Sequence, residues 1–243
     1  MKNLVIVESG AKATKITEYL DKNFPDEHWE VAACLGHIRD LPDDDNAVNP
    51  ENWVDLSWEE TQKGKKTIRE LRKLCKTINT VYLATDPDRE GEAIAWHLLS
   101  DFTEKKLLKD KTVKRITFNE ITSSAIKQAI NSPREIDQDL VDAYLARRIL
   151  DHLIGFKVSP LVWRHAPPAK SAGRVQSPSL RIICERETER DKHVKEEFWP
   201  ISSKFDFEDF IFDAELVKSN KIDLKKNPIS SENEMKKIHS ELD

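Results

Sequence analysis

The chain has 243 residues, 34% of them charged, and a formal net charge of −5 at pH 7, which is room for one large domain or two ordinary ones. No run of about 18 apolar residues occurs, which excludes a membrane-spanning helix of the usual kind. The apolar run in "MKNLVIVESG" is too short for a secretory leader and is interrupted by Glu8. Cys34, Cys75 and Cys184 lie far apart without metal-ligand spacing, the pattern of reduced thiols in a cytoplasmic protein.

In chain order, "NLVIV" reads as a short buried strand and "AKATKITEYLDKNF" as an amphipathic helix. "EVAACL" is a second strand. Residues 40–60, "DLPDDDNAVNPENWVDLSWEE", are acidic with two prolines and little periodicity, so they read as a long surface excursion. Helix "KGKKTIRELRKLCK", strand "TVYLAT", helix "REGEAIAWHLLSDF" and strand "VKRITF" follow. Alternating strands and helices over residues 1–118 predict an α/β domain built on a parallel, Rossmann-like sheet. "SSAIKQAINS", "DLVDAYLARRILDHLIGF" and "PSLRIICERETERD" are helical with no strand between them, giving a mainly helical domain over 119–197. From 198 to 243 the alternation in "FWPISSKFDFEDFIFDAELV" is strand-like. A stretch of that length cannot bury a core of its own, so it reads as the start of an incomplete β-rich domain.

The segment "ATDPDREGEAIAW" sets Asp86, Asp88, Glu90 and Glu92 on alternate positions after a buried strand. Helix capping accounts for part of it: Asp86 falls at a natural N-cap, Pro87 at the first helical position, and acids in the first turn suit the helix dipole. Capping does not explain Gly91, which costs roughly 1 kcal/mol against alanine within a helix. Nor does it explain so many like charges. Clustered oxygens at the C-terminal end of a strand suit Mg²⁺, which takes one or two carboxylates together with water and substrate phosphate. If "NLVIV" and "TVYLAT" are neighbouring parallel strands, Glu8 and Asp86 leave the sheet at the edge where α/β active sites form. Lys12 then lies one helical turn beyond Glu8.

Charge is uneven. Residues 144–184 carry seven Lys/Arg against one acid, Asp151, a local basic patch suited to a polyanion in an acidic chain. Arg147, Arg148 and Asp151 share a helix face. Phe156 and Trp163 interleave the cations, and aromatic rings stack on unpaired bases. In "KSAGRVQS", Ser171, Ala172 and Gly173 offer small residues at a helix start, where N–H groups favour phosphate, and Arg174, Val175 and Gln176 follow.

Taken together, "VIVESGAKATKI", "LGHIRDLP", "YLATDPDREGEAIAWHL", "FNEIT" and "SAGRVQS" resemble the Toprim domain and, more narrowly, the bacterial type IA DNA topoisomerases, over about residues 4–199. The resemblance implies that Glu8, Asp86, Asp88 and Glu90 form the Mg²⁺-binding acidic centre. It implies that Lys12 and Arg89, with Glu8, act on the scissile phosphate, and that His37 lies close to DNA. It assigns Arg147, Arg148, Asp151, Phe156, Trp163 and residues 171–176 to a groove for single-stranded DNA. "RHAPPAK" departs from the more basic loop of many relatives, with Pro167 and Pro168 stiffening it. Family members cut DNA with a tyrosine in a "YxRT"-like motif. Tyr19, Tyr82 and Tyr144 do not match that motif. The expectation is therefore an N-terminal portion of a monomeric, nucleoid-associated topoisomerase acting on single-stranded or underwound DNA, whose remaining domains supply the nucleophile. The alternatives are a stand-alone Toprim nucleic-acid-binding protein and, less well matched, a primase-like polymerase.

Overall fold

The structure is a computed structural model and describes residues 2–49, 51, 56–208, 210–220 and 222–242. The chain falls into two compact units, 1–177 and 178–243. In the first, β1 (Lys2–Val7) is followed by α1 (Gly10–Asn23), β2 (His28–Ala33), the two-residue strands β3 (Arg39–Asp40) and β4 (Glu59–Glu60), and α2 (Gly64–Lys76). Then come β5 (Thr80–Leu83), α3 (Arg89–Glu104), β6 (Thr112–Arg115), α4 (Ser123–Asn131), α5 (Gln138–Leu153), one π-helical turn (Ile154–Val158) and α6 (Ser159–His165).

β2, β1, β5 and β6 form one parallel sheet in that order. Leu4, Val5, Ile6 and Val7 are all fully buried, as an inner strand covered on both faces requires. The period of two then sorts them. Leu4 and Ile6 join Ile68, Leu71, Leu98 and Phe102 from α2 and α3. Val5 and Val7 face Ile16, Leu20, Ile126 and Ile130 from α1 and α4. Tyr82 lies in this second layer, its ring 5.6 Å from that of Trp29.

Two buried ion networks tie helices to this sheet. Asp101, fully buried on α3, accepts from Arg39 at 3.1 Å and from Arg72 at 2.5 and 2.8 Å. Arg39 also meets Glu104 at 2.6 Å and Arg72 meets Glu60 at 2.7 Å. These bonds fix the root of the 40–60 excursion, where β3 and β4 pair antiparallel. The excursion is folded: Leu41 and Val48 are buried with Ile149 of α5. Residues 50 and 52–55 of it lie outside the described residues.

The second network centres on Glu92, the last acid of the alternating run. It is fully buried and accepts from Arg115 Nε at 3.0 Å and Nη2 at 2.6 Å, from the Asp137 N–H at 3.0 Å, and from Arg134. Arg115 donates in addition to the carbonyls of Leu83, Thr85, Asp86 and Ile116 at 2.7–3.1 Å. Burial alone would push the Glu92 carboxyl up, but the bonds and charge of Arg115, with Asp137 and Arg134, hold it below the usual carboxylate range.

The helical segments α4 and α5 belong to the same compact unit as the sheet. Asn23 of α1 bonds Ser123 at the start of α4 at 3.0 and 3.2 Å, and α5 lies against α3. The sequence reading divides the chain at 118 and 197, whereas the compact units divide at 177, within α7 (Gln176–Asp191). The second unit continues with an antiparallel pair, β7 (Ser202–Phe207) and β8 (Phe210–Glu215), registered from Ser202↔Glu215 to Phe207↔Phe210. A smaller pair, β9 (Lys218–Ser219) and β10 (Ile222–Asp223), and α8 (Glu232–Ser240) complete it. The α/β, helical and strand-rich succession is the expected one. Among the described residues no helix is long and apolar enough to cross a membrane.

Glu92→Gln should therefore cost about 3–5 kcal/mol in denaturant unfolding, the range for removing one partner of a buried pair. Because the Glu92 carboxyl titrates lower folded than unfolded, its stabilisation is present above pH 4.5 and is lost as pH falls through the folded value. The variant's stability should accordingly fall less steeply below pH 4.5 than that of the parent.

Candidate metal and nucleic-acid site

Glu8 follows β1 and Asp86 follows β5 by three residues, so adjacent parallel strands deliver both to one edge of the sheet. The Asp86 N–H donates to Glu8 Oε1 at 2.9 Å. Ser9 caps α1 by accepting from the Lys12 N–H, which starts the helix at once and turns Lys12 back over the acids. Its Nζ lies 2.5 Å from Asp86 Oδ1 and 3.9 Å from Glu8 Oε2. Burial pushes the Glu8 carboxyl above its usual range, and the Asp86 charge adds to this against the Asp86 N–H and Lys12. A carboxylate so placed gains from a nearby cation. Beside it opens a cleft of about 460 Å³ lined by Lys12, Asp86, Asp88 and the loop Phe118–Ile121.

The helix cap is not where the sequence put it. Asp88, not Asp86, is the N-cap of α3, with its Oδ1 accepting the Gly91 N–H at 2.8 Å, and Arg89 is the first helical residue. Asp86 is thereby left to Glu8 and Lys12. Gly91 now has a reason: a Cβ there would sit 2.1 Å from the Asp86 carbonyl oxygen. The four expected metal ligands are only partly gathered. Glu8 and Asp86 meet, Asp88 lines the same cleft, and Glu90 is exposed on the first turn, its charge acting on His37 and Tyr144. Among the described residues no three of His, Cys, Asp and Glu lie close enough to enclose an ion. The donors fit Mg²⁺ all the same, since they are oxygens only and Mg²⁺ uses one or two carboxylates with water and phosphate. Arg89 is exposed at the helix start.

His37 comes to the same side through a tight turn. Leu35 and Gly36 are both left-handed, with φ of 59° and 93°, a conformation strained for leucine and easy for glycine. The His37 ring stacks on Tyr144 of α5 at 5.1 Å, with Nδ1 3.3 Å from the Tyr144 hydroxyl. Burial holds His37 below the usual imidazole range against the pull of Glu90 and Asp40. Burial, with Asp40, pushes the Tyr144 hydroxyl up to about 12. Sequence reasoning weighed Tyr144 only as a nucleophile; its place three and four residues before Arg147 and Arg148 was the overlooked signal.

Part of the basic patch is already charge-paired. Arg148 meets Asp40 at 2.6 Å, Arg174 meets Asp151 at 2.7 Å and Arg147 meets Asp151 at 3.7 Å. Trp163 is 55% exposed, its indole N–H donating to the Lys170 carbonyl. Phe156 is instead half-buried and stacked 4.5 Å from buried His152. It sits in the π-helical turn, a wide turn that recurs at functional sites and that apolar periodicity does not reveal. The N–H groups expected to be free before α7 are taken: Ala172 donates to Ser159 Oγ at 3.0 Å and Gly173 to Ser177 Oγ at 3.3 Å. Ser171 Oγ meets Gln176 Oε1 at 3.4 Å, and Val175 is exposed.

Acids and a lysine at the C-terminal edge of a parallel sheet, beside a helical basic patch, place this chain in the Toprim class of α/β domains. Residues 3–121 match the Toprim domain family and residues 135–243 match the DNA topoisomerase family. DNA topoisomerase 1 of Xylella fastidiosa is 48% identical over 217 residues, taking in 89% of this chain and 26% of the relative. DNA topoisomerase 1 of Rickettsia bellii is 46% identical over 241 residues, 98% of this chain and 30% of the relative. The solved full-length topoisomerase I from Thermotoga maritima gives a TM-score of 0.69 at 35% identity, covering 98% of this chain and 37% of that one. The chain belongs to the bacterial DNA topoisomerase I family, and it spans 26–30% of the length of these curated relatives.

Replacing glycine by alanine in a helix normally stabilises it by about 1 kcal/mol. Gly91→Ala should do the reverse, because the new methyl meets backbone at 2.1 Å. A melting temperature below that of the parent is the expected result.

Proposed function

We propose that this chain is the part of a type IA DNA topoisomerase that supplies the acidic Mg²⁺ centre and the single-strand groove. The whole enzyme then relaxes negatively supercoiled DNA without ATP, by cutting one strand, passing DNA through the gap and resealing it. The observation that carries the reading is Lys12 set between Glu8 and Asp86 at the sheet edge, over an open cleft. Phosphoryl transfer is helped chiefly by cations aimed at developing charge on the phosphate oxygens.

Glu8 and Asp86 would hold Mg²⁺, with Asp88 and, as the resemblance implies, Glu90. When bound, the ion supplies positive charge to the phosphate during resealing. Lys12 and Arg89 bind the same phosphate, Lys12 by leaving Asp86. His37, Arg147, Arg148, Asp151, Phe156, Trp163 and the 171–176 loop guide the single strand toward the cleft. The nucleophilic tyrosine comes from the remaining domains of the enzyme. The three tyrosines of this chain support that assignment: Tyr82 and Tyr144 are 5% and 7% exposed, Tyr19 packs against the core, and none lines the cleft. The enzyme works as a cytoplasmic, nucleoid-associated monomer on single-stranded or underwound DNA.

Mg²⁺ should raise the melting temperature of the parent chain, and Asp86→Ala with Asp88→Ala should abolish that rise. Equal shifts in both proteins would return the acids to a capping role. The chain alone should form no covalent adduct with end-labelled single strands, with or without Mg²⁺. A labelled protein band that vanishes on replacing one of the three tyrosines would overturn the division of labour.

A further inference from the structure

Apart from Asp40, the acidic excursion at 40–60 has no part in the site as described so far. Leu41 and Val48 are buried with Ile149, and Leu56, Trp58 and Leu153 pack around them, so the segment is held down on α5. That packing sets two of its carboxylates on two cations of the groove. Asp40 meets Arg148 as a fork, Nε to Oδ1 at 2.6 Å and Nη2 to Oδ2 at 3.0 Å. Asp45 Oδ1 lies 2.7 Å from Lys157 Nζ, in the π-helical turn. A carboxylate and a phosphate present the same pair of oxygens to a guanidinium, and both make this fork.

We infer that segment 40–45 is an intramolecular competitor of the DNA strand: Asp40 and Asp45 hold Arg148 and Lys157 where backbone phosphates bind, and strand entry exchanges carboxylate for phosphate. This rests on the single-strand groove proposed above.

The two pairs differ in how readily they exchange. Lys157 and Asp45 are 51% and 52% exposed, and ion pairs so open to water are weak. Asp45 also stands at the rim of a hollow of about 540 Å³ formed by Gly155, Phe156, Pro160 and Trp163. A strand laying a base on Trp163 passes this carboxylate. Arg148 and Asp40 are less exposed, at 30% and 40%, and Asp40 Oδ1 accepts the Leu41 N–H as well. The outer pair opens first and the inner fork resists longer, which biases the groove toward partners that bring several phosphates in line.

The test is fluorescence anisotropy of a labelled single-stranded oligonucleotide against the full chain over a series of salt concentrations. Asp45→Asn should tighten binding by up to about fivefold at low salt, the worth of an exposed ion pair that no longer has to be given up, with the log–log salt slope little changed because the same phosphates are neutralised. Adding Asp40→Asn should tighten binding by at least a similar further step, since its fork with Arg148 is less exposed. Asp43→Asn changes charge by the same amount in the same segment, yet Asp43 has no ion pair among the described residues, so its affinity should stay near that of the parent. Equal tightening by Asp43→Asn and Asp45→Asn would reduce the effect to net charge and overturn the inference. Unchanged binding in Asp45→Asn and in the double variant, with the parent binding DNA, would overturn it too. Absence of salt-dependent binding in every protein would overturn the groove itself.

Discussion

The buried pair of Glu92 and Arg115 is the constraint on which the site depends. Arg115 ends the edge strand β6, and its guanidinium reaches across to the carbonyls of Leu83, Thr85 and Asp86, where β5 runs out. The Leu83 carbonyl also receives the Ile116 N–H at 3.0 Å, but those of Thr85 and Asp86 lie past the end of β5, and an unpaired buried carbonyl is costly. Arg115 satisfies them, Glu92 balances Arg115, and Arg134 with the Asp137 N–H completes the carboxylate. One residue of α3 thus fixes both the end of β5 and the start of α5. The backbone of Asp86 is held from behind by Arg115, while its side chain is free to face Glu8 and Lys12.

This arrangement explains why a run of alternating acids splits into different tasks. On a strand end followed by a helix, alternate positions do not stay on one face. Asp86 is still in the extended segment, Asp88 caps, Glu90 lies exposed on the first turn, and Glu92 turns inward. The sequence displayed four equivalent carboxylates, but the switch from a period of two to a period of 3.6 falls between them. Gly91 marks the place of that switch, where the helix start folds back against the Asp86 backbone.

The parallel sheet and its order of elements were legible because β1 and β5 are short unbroken apolar runs between helices of clear periodicity. The meeting of Glu8, Lys12 and Asp86 was legible too, since neighbouring parallel strands leave little choice about where their ends lie. The shift of the cap from Asp86 to Asp88 was not, because both are good capping residues and only the length of the loop decides. The pairing of Arg148 with Asp40, 108 residues away, leaves no local trace in either segment. A basic patch counted along the sequence therefore overstated the charge that the folded groove shows to solvent.

Both halves of the site carry ion pairs of their own: Lys12 with Asp86, Arg174 with Asp151, Arg148 with Asp40 and Lys157 with Asp45. Any polyanion that binds there must exchange partners with carboxylates already in place, so its affinity is a difference between two similar electrostatic terms. Such a difference is small for a single phosphate and grows with the number presented together. It is also larger where the departing carboxylate finds another cation. Asp86, released by Lys12, lies beside Glu8, whose carboxyl is pushed up chiefly by burial and further by the Asp86 charge. In the site proposed above, a divalent cation and a phosphate entering together would satisfy Glu8, Lys12 and Asp86, whereas either alone would leave a like-charge contact behind. For the function proposed above, coupled entry of metal and DNA is what the geometry of these three side chains favours.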